Sequence, residues 1–397
     1  MAERMALVIG GGLGGLAATL ALRRAGIEAV LFEQQDDLRK IQVGGGIHMW
    51  ANAMQALRHI GVDEHVAAAG APIHRTEFQN PNGRRLTTWR LKEVADAYAT
   101  EDVGIARAAL QQVLIDAQDE DAVRLGKRCT GFEQDADSVT ARFADGSEER
   151  GALLVGADGL RSTIRTQLLG EASPRYAGYA QMQALADGAE ELLPRGVERV
   201  VFGRGARAVL HHVRGGLFWA AAIYEPEGTV PDGIGRRDTV LTRLAGWTAP
   251  VEEVVSATAA DGIVAFDIYD RPPVSSWSNG RVTLLGDAAH PMTTNLSQGG
   301  CQALEDGVVL ADALAGEQDV ARALRTYDAR RVPRTSSLVK QSHAVARLGG
   351  FRNPLVCAVR DQVTKVTLSG PGYRDYRKLA AETMDGIADG GGNLSSS

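Results

Sequence analysis

The feature that most constrains the fold is an apolar run, a glycine-rich turn, a helical pattern and a second apolar run at the start of the chain. The run Ala6–Ile9 leads directly into GGGLGG, which satisfies G-x-G-x-x-G at Gly10, Gly12 and Gly15. The second run ends at Glu33. This order predicts a βαβ unit of the kind that binds dinucleotides.

Each residue type in this unit has a physical reason. Glycines permit a tight turn and the close approach of a pyrophosphate, and the following helix offers its positive N-terminus to the phosphates. Glu33 lies 18 residues after Gly15, close to the spacing of about 20 expected for an acid that binds an adenosine ribose hydroxyl. The pattern alone does not distinguish NAD from FAD.

A second strand, turn and helix are predicted between Val282 and Gly316. The apolar run ends at Gly286-Asp287, where the acid is placed to bind a ribose hydroxyl, and a glycine-rich turn follows. The helical pattern starts at Ser297 or Gln298, and Ser297 is a candidate N-cap. Free backbone N–H groups and the helix dipole favour an anionic cofactor beside this turn.

These two stretches and a third between them resemble the motifs of the FAD-dependent aromatic hydroxylases, the salicylate hydroxylase-like single-component flavoprotein monooxygenases. The third stretch, GADGLRSTIR, includes Asp158 and is similar to the DG motif of that family. The motifs occur in the family order, and the resemblance extends from Ala6 to about Arg334. It also includes Arg107 and the run Gly44–Ile47.

The resemblance implies non-covalent FAD and a set of residues that bind it. In the family the first fingerprint holds the ADP part, the GD acid holds the ribityl chain, and the DG motif touches both FAD and nicotinamide. The helix N-terminus after the GD turn would face the flavin N1 and C2 carbonyl region. The cofactor-binding residues predicted here are therefore Gly10, Gly12, Gly15, Glu33, Arg107, Asp158, Asp287, Gly299 and Gly300.

The predicted fold class is α/β, with a Rossmann-like FAD-binding domain, an inserted β-sheet substrate domain and a C-terminal helical segment. No second G-x-G-x-x-G occurs, so NADH or NADPH is expected to dock transiently as co-substrate. The predicted boundaries are 1–72, 101–172 and 276–340 for the FAD-binding domain, 73–100 and 173–275 for the substrate domain, 341–388 for the helical segment and 389–397 for a disordered tail.

Three residues are candidates for catalysis. His211 and His212 are adjacent on a predicted substrate-domain strand, so their side chains point to opposite faces and one can reach the pocket as a base. Thr294 stands where family members usually have a proline over the flavin, which leaves the substrate open. The residues indicate no metal site.

The function implied is FAD-dependent, NAD(P)H-using hydroxylation of an aromatic or polycyclic small molecule by a flavin C4a-hydroperoxide formed from dioxygen. The alternatives are an oxidase, reductase or epoxidase of the same fold, and a non-redox FAD-containing protein that binds or cyclises a ligand. Incorporation of oxygen from labelled dioxygen into the product would distinguish a hydroxylase from the first group of alternatives. Activity without NAD(P)H would indicate the second.

Composition limits the remaining classes. The 397 residues are 44% hydrophobic and 23% charged, which is ordinary for a globular protein of two domains, and the net charge of −6 with scattered basic residues gives no nucleic-acid footprint. Three widely spaced cysteines predict neither a disulfide framework nor a zinc site. We expect a cytoplasmic protein without integral membrane segments, as a monomer or homodimer.

Overall fold

The computed structural model describes residues 5–41, 45–230, 233, 235–248 and 250–381, so Gly44 and the predicted tail 389–397 lie outside the described residues. The described strands are β1 (Ala6–Ile9), β2 (Ala29–Phe32), β3 (Gly46–Met49), β4 (Ala71–Pro72), β5 (Arg75–Gln79), β6 (Arg85–Arg90), β7 (Val103–Ala106), β8 (Val123–Arg124), β9 (Cys129–Gln134), β10 (Val139–Phe143), β11 (Glu148–Gly151), β12 (Leu153–Gly156), β13 (Arg175–Ala186), β14 (Val197–Phe202), β15 (Ala206–Val213), β16 (Gly216–Ile223), β17 (Val264–Asp270) and β18 (Val282–Leu284).

The described α-helices are α1 (Leu13–Arg24), α2 (Ala51–His59), α3 (Asp63–Ala69), α4 (Leu91–Ala97), α5 (Arg107–Asp116), α6 (Thr163–Leu169), α7 (Gly235–Leu244), α8 (Val251–Ala257), α9 (Gly299–Ala315), α10 (Val320–Gly349), α11 (Pro354–Thr367) and α12 (Tyr373–Ala381). No helix in these described ranges is long and apolar enough to cross a membrane.

A parallel sheet of order β18-β12-β1-β2-β8 forms the centre of the first domain. Its central strands are apolar on both faces, as expected of a parallel sheet covered by helices. Helices α1 and α9 pack together so closely that a Cβ at Gly307 would lie 2.8 Å from the backbone nitrogen of Ala18. The strand, turn, helix and strand predicted at the start of the chain, and the strand before Gly286, are confirmed.

A second, mixed sheet of order β17-β13-β16-β15-β14-β5-β6 forms the predicted substrate domain. Strands β15 and β16 are joined by a two-residue turn, because Val213 pairs with Gly216. Gly215 in this turn has a φ of 77°, a conformation that glycine adopts without steric cost. Side chains alternate between the two faces of these strands, so one face looks towards the first domain and the other packs under α7 and α8.

The fold class is confirmed: the α/β architecture, the inserted sheet and the C-terminal helices are all present. The domain boundaries given above remain predictions. One local prediction is wrong. Ser297 is not the N-cap of α9, because it adopts a left-handed conformation with a φ of 53° and Gln298 occupies the cap position.

Candidate functional site

The three fingerprint glycines differ in what surrounds them. A Cβ at Gly10 would lie 2.5 Å from the carbonyl oxygen of Ala157, and one at Gly15 would lie 1.9 Å from the carbonyl oxygen of Gly10. A Cβ at Gly12 would meet no atom of the described protein within 4 Å. Gly10 and Gly15 are therefore required by the fold itself, whereas Gly12 borders open space at the N-terminus of α1, where a phosphate can approach.

Glu33 is buried at the end of β2 and closes this turn. Its Oε2 accepts a hydrogen bond from the Gly11 amide at 2.7 Å, and its Oε1 accepts one from the Gln35 amide at 2.8 Å. Each carboxylate oxygen has a further lone pair, so the group can still accept a hydrogen bond from a ribose hydroxyl. The two hydrogen bonds hold the carboxylate beside the glycine turn.

The predicted residues of the GD turn meet at one end of a large cavity. Arg107, Asp287, Gly299 and Gly300 all line it. No described residue provides a hydrogen-bond partner for the Arg107 guanidinium, and burial lowers its pKa against the opposing charge of Asp287. An unpaired cation, a carboxylate and the free amides of a helix N-terminus together suit a ligand with both anionic and hydroxyl groups.

A buried charge cluster supports this turn from below. Asp306 accepts hydrogen bonds from the Gly286 amide at 3.0 Å, from His290 Nε2 at 2.6 Å and from Arg331 Nε at 2.6 Å. Burial would raise the pKa of Asp306, but His290 and Arg331 lower it to about 2. His290 therefore supports the loop, and it is bound to a carboxylate that does not line the cavity.

Asp158 lies outside the cavity lining. Its carboxylate accepts hydrogen bonds from the Ser162 hydroxyl and from the amides of Thr163 and Ile164, so it holds the start of α6. Nearby, Arg165 donates to the carbonyl oxygens of Ala288 and Ala289 at 2.8 and 2.9 Å. The DG motif thus ties its own loop to the GD turn, and a cofactor contact by Asp158 remains a prediction.

The cavity itself has a volume of about 440 Å³ and lies between the two sheets. Every second residue of three neighbouring strands faces it, as the alternation of side chains requires. From the substrate sheet these residues are Gln181, Gln183, Arg207, Val209, His211, Phe218, Ala220 and Ala222. The space is therefore lined by apolar groups interrupted by a few polar ones, which is typical of a small-molecule site.

The alternation separates the two histidines. His211 lines the cavity, and its Nδ1 lies 3.0 Å from the backbone oxygen of His212. A carbonyl oxygen only accepts, so Nδ1 carries the proton and Nε2 keeps its lone pair. Burial lowers the pKa of His211 to about 4. His212 points to the other face, where its Nε2 donates to the Leu193 oxygen at 2.8 Å, so it does not reach the cavity.

Arg207 is a cavity residue that the sequence analysis did not identify. Its side chain is 8% exposed, and burial lowers its pKa. No described residue accepts a hydrogen bond from its guanidinium, which lies 5.6 Å from the centre of the Phe202 ring. The charge of Glu198 favours the cation, but Glu198 makes no hydrogen bond with Arg207, so the guanidinium N–H groups can bind an anionic ligand.

Thr294 belongs to a row of polar side chains along one wall. Its hydroxyl donates to Gln181 Oε1 and lies 3.1 Å from the Tyr179 hydroxyl, and Gln181 Nε2 donates to Gln183 Oε1. The Tyr179 hydroxyl in turn donates to Asn295 Oδ1 at 2.7 Å. The hydroxyl that replaces the usual family proline is therefore fixed in orientation at the cavity wall.

Another group of buried polar residues, which connects the two domains, was also not identified from the sequence. His48 lies between two buried carboxylates, with Nδ1 3.1 Å from Glu198 Oε1 and Nε2 3.2 Å from Asp102 Oδ1. His48 and Glu198 both line the cavity. The alternation of side chains along a strand would have assigned Glu198 and Arg207 to one face of the sheet. These residues are far from His48 in the sequence, and they line the same cavity only because β14 pairs with β15 and β3 pairs with β7.

Comparison with known proteins identifies relatives over nearly the whole chain. The family described as FAD binding domain matches residues 3–194 and 249–342. An aurachin C monooxygenase/isomerase from Stigmatella aurantiaca is 41% identical over 364 residues, 91% of this chain and 94% of that protein. An FAD-dependent urate hydroxylase from Klebsiella pneumoniae is 35% identical over 337 residues, 84% of this chain and 87% of that protein.

A solved structure extends this similarity to three dimensions. The crystal structure of Klebsiella pneumoniae HpxO complexed with FAD and uric acid is 31% identical and superimposes with a TM-score of 0.88. The match covers 95% of this chain and 97% of that chain.

Proposed function

The chain belongs to the family of FAD-dependent aromatic hydroxylases and is an FAD-dependent monooxygenase of an aromatic small molecule, and we propose that its substrate binds as an anion. In this proposal the substrate carries an acidic hydroxyl or ring N–H, His211 removes the proton, and Arg207 holds the resulting charge. An electron-rich anion is the better nucleophile towards an electrophilic oxygen, so deprotonation would activate the ring.

The observation that carries the proposal is the set of open hydrogen-bond donors on Arg207. Its guanidinium is buried, faces the cavity and lacks a hydrogen-bond partner among the described residues. An anionic ligand would supply the missing partner and would recover part of the desolvation cost. The urate hydroxylases among the relatives are named for a substrate of this kind.

His211 supports the proposal from the other end of the same strand face. Its Nδ1–H is committed to a backbone oxygen, so Nε2 is the free acceptor within the cavity. Burial lowers its pKa to about 4, so the ring is neutral throughout the physiological range and Nε2 keeps its lone pair. In the transfer the substrate O–H or N–H bond breaks, its electron pair remains on the substrate, and the proton forms a bond with Nε2.

The residues around the glycine turns fit FAD. The open space at Gly12 and the carboxylate of Glu33 suit the pyrophosphate and adenosine ribose, and Asp287 with the Gly299 and Gly300 amides suits the ribityl chain and the flavin edge. Arg107 would add a positive charge beside them. FAD bound there would supply the redox chemistry that activates dioxygen for insertion of one oxygen atom into the substrate.

Three parts of the proposal concern the surroundings of the reaction. NADH or NADPH is the electron donor and docks transiently, because the sequence contains one dinucleotide fingerprint. Dioxygen is the second substrate. The protein works in the cytoplasm, as a monomer or homodimer.

The test uses pairs of aromatic compounds that differ only in a free hydroxyl and its methyl ether. Binding to the FAD-loaded enzyme is measured from the perturbation of flavin absorbance, and turnover from labelled dioxygen incorporated into product. We expect the hydroxyl compounds to bind more tightly and Arg207→Gln to abolish the difference. Loss of one charge-assisted hydrogen bond, about 1.5–3 kcal/mol, should raise their Kd by about 10- to 150-fold.

The matched control is Arg199→Gln. Arg199 lies on the neighbouring strand β14 but points to the opposite face, where it pairs with Glu77 at 3.0 Å. This variant should retain the preference for hydroxyl compounds. Equal binding of both members of each pair to the wild-type enzyme would contradict the proposed anionic substrate, and wild-type binding by Arg207→Gln would contradict the role of this residue.

A further inference from the structure

Four side chains form a buried polar network at one wall of the cavity: His48, Glu198, Asp102 and Tyr376, called here the His48 network. His48 is centred between the two carboxylates at 3.1 and 3.2 Å. The Tyr376 hydroxyl donates to Asp102 Oδ2 at 3.0 Å, and the Thr76 hydroxyl donates to Glu198 Oε2 at 2.8 Å. All members of the network are at most 5% exposed, so solvent screens their charges weakly.

The network charges favour a protonated His48. Burial alone would lower the pKa of His48, but Glu198 and Asp102 raise it to about 9. Burial would raise the pKa of Glu198, but the charge of His48 lowers it to about 2. Near neutral pH the cavity wall therefore carries an imidazolium beside a carboxylate.

This wall is adjacent to His211. The ring centres of His48 and His211 are 6.3 Å apart, and both side chains line the cavity. The pairing of β14 with β15 places Arg199 opposite Leu210, so the next pair along the ladder is Glu198 with His211. Gly104 on β7 makes the approach possible, because a Cβ there would lie 2.5 Å from His211 Nδ1.

The groups that face His211 can be named element by element. Neighbouring strands contribute His48 from β3, the Gly104 backbone from β7 and Glu198 from β14. Strand β15 itself contributes the His212 backbone oxygen and, further along, Arg207. Strand β16 contributes the Phe218 ring, whose centre is 4.8 Å from that of His211. Among these, His48 is the near cation and Glu198 the near anion.

We propose that His48, held as an imidazolium between Glu198 and Asp102, is a positioning residue that adds to the effect of burial in keeping the neighbouring His211 neutral and its Nε2 lone pair available to the substrate. The inference rests on the proposed role of His211 as base. Two like charges this close repel, so protonation of His211 by solvent is disfavoured. Glu198 has the opposite effect, and it stabilises the His211 cation once the substrate has given up its proton.

The experiment is a pH titration of the FAD-loaded full chain with ¹⁵N-labelled histidine, followed by NMR of the imidazole nitrogens. The chain contains 8 histidines, and the signals of His48 and His211 are assigned from their loss in His48→Gln and His211→Gln. In the wild type we expect His48 to remain doubly protonated at pH 7, and His211 to remain singly protonated until the pH falls to about 4.

In His48→Gln the protonation midpoint of His211 should rise by about one to two pH units, as expected for the loss of a like charge about 6 Å away. The matched control is His343→Gln, because His343 also pairs with a carboxylate, Asp270 at 2.8 Å, but does not line the cavity. It should leave the His211 midpoint unchanged. An unchanged or lower midpoint in His48→Gln would overturn the proposal, as would a neutral His48 at pH 7.

A second variant covers the case in which His48→Gln does not fold. His48→Asn is a shorter neutral replacement that removes the same charge, so the His211 midpoint should rise as in His48→Gln. No rise would count against the proposal. The NMR titration is independent of turnover, whereas an active His211→Gln would refute the proposed base, so the two failures are distinguishable.

Discussion

Adding one methyl group to a fingerprint glycine distinguishes an effect on cofactor binding from an effect on folding. Gly12 has a φ of −70° and a ψ of 178°, which any residue adopts, and a Cβ there meets no described protein atom within 4 Å. Gly12→Ala should therefore change the free energy of unfolding of the FAD-free protein by less than about 0.5 kcal/mol. The methyl group would instead occupy the space through which a pyrophosphate approaches the turn.

The expected cost to FAD binding follows from the backbone amides that would lose contact. Loss of one or two charge-assisted hydrogen bonds, about 1.5–3 kcal/mol each, raises the Kd by about 10-fold or more. Titration of flavin fluorescence measures this constant, and urea unfolding of the FAD-free protein measures stability. Wild-type FAD affinity in Gly12→Ala would refute the proposed approach of the pyrophosphate at this turn.

Gly15→Ala is the contrasting variant. Its Cβ would lie 1.9 Å from the Gly10 carbonyl oxygen, a backbone atom that cannot move without displacing the turn. Overpacking of this kind costs about 1–3 kcal/mol or more, so this variant should unfold at lower urea concentration even without FAD. Equal loss of stability in both variants would show that Gly12 also has a packing role.

Three further predictions concern other parts of the site. Glu33→Gln replaces a carboxylate that accepts hydrogen bonds from two backbone N–H groups. It should lower the free energy of unfolding by about 1–3 kcal/mol and should also lower FAD affinity. The same urea and fluorescence titrations measure both effects, and an unchanged affinity would exclude a ribose contact. Thr294→Pro should retain FAD but change the ratio of product formed to NAD(P)H consumed, with the difference detected as hydrogen peroxide; an unchanged ratio would place the substrate elsewhere. The pKa of Asp306 is lowered from 3.8 to about 2, so its contribution to stability is present above pH 4 and is lost as the pH falls from 4 to 2. Asp306→Asn should abolish that part of the acid transition in unfolding curves measured by circular dichroism.

The parts of the fold that depend on local patterns were predictable from the sequence. The first strand, α1, the second strand and the β15–β16 hairpin are specified by glycine positions and by apolar periodicity within about 30 residues. Helices α7 and α8 were missed, although their apolar residues, such as Val240 and Val254, are buried under the substrate sheet. Helix α10 runs through Pro333 and begins at Val320, well before the predicted helical segment 341–388.

The candidate site was predictable only where one motif contains its residues. Asp287, Gly299 and Gly300 are close in sequence and meet at the cavity, as expected. Arg207 and Glu198 carried no motif, and a charged residue in a strand is more often at the surface. Their burial depends on strand pairing and on the sheet face that each residue occupies, which a single sequence does not specify.

The polar wall around Thr294 connects a departure from the family pattern to the proposed substrate. A proline at this position has neither a hydroxyl nor an amide hydrogen, whereas Thr294 donates its hydroxyl to Gln181 and its amide to the Tyr179 hydroxyl at 3.3 Å. Gln181 Nε2 donates in turn to Gln183 Oε1, and no described residue accepts a hydrogen bond from Gln183 Nε2, which is left as a donor at the cavity wall. A donor on this wall and the guanidinium of Arg207 on the same sheet face both select acceptor groups on the ligand. Because both kinds of donor favour oxygen or nitrogen atoms with negative charge, the replacement of proline by threonine is consistent with a substrate that is bound and oxidised as its anion.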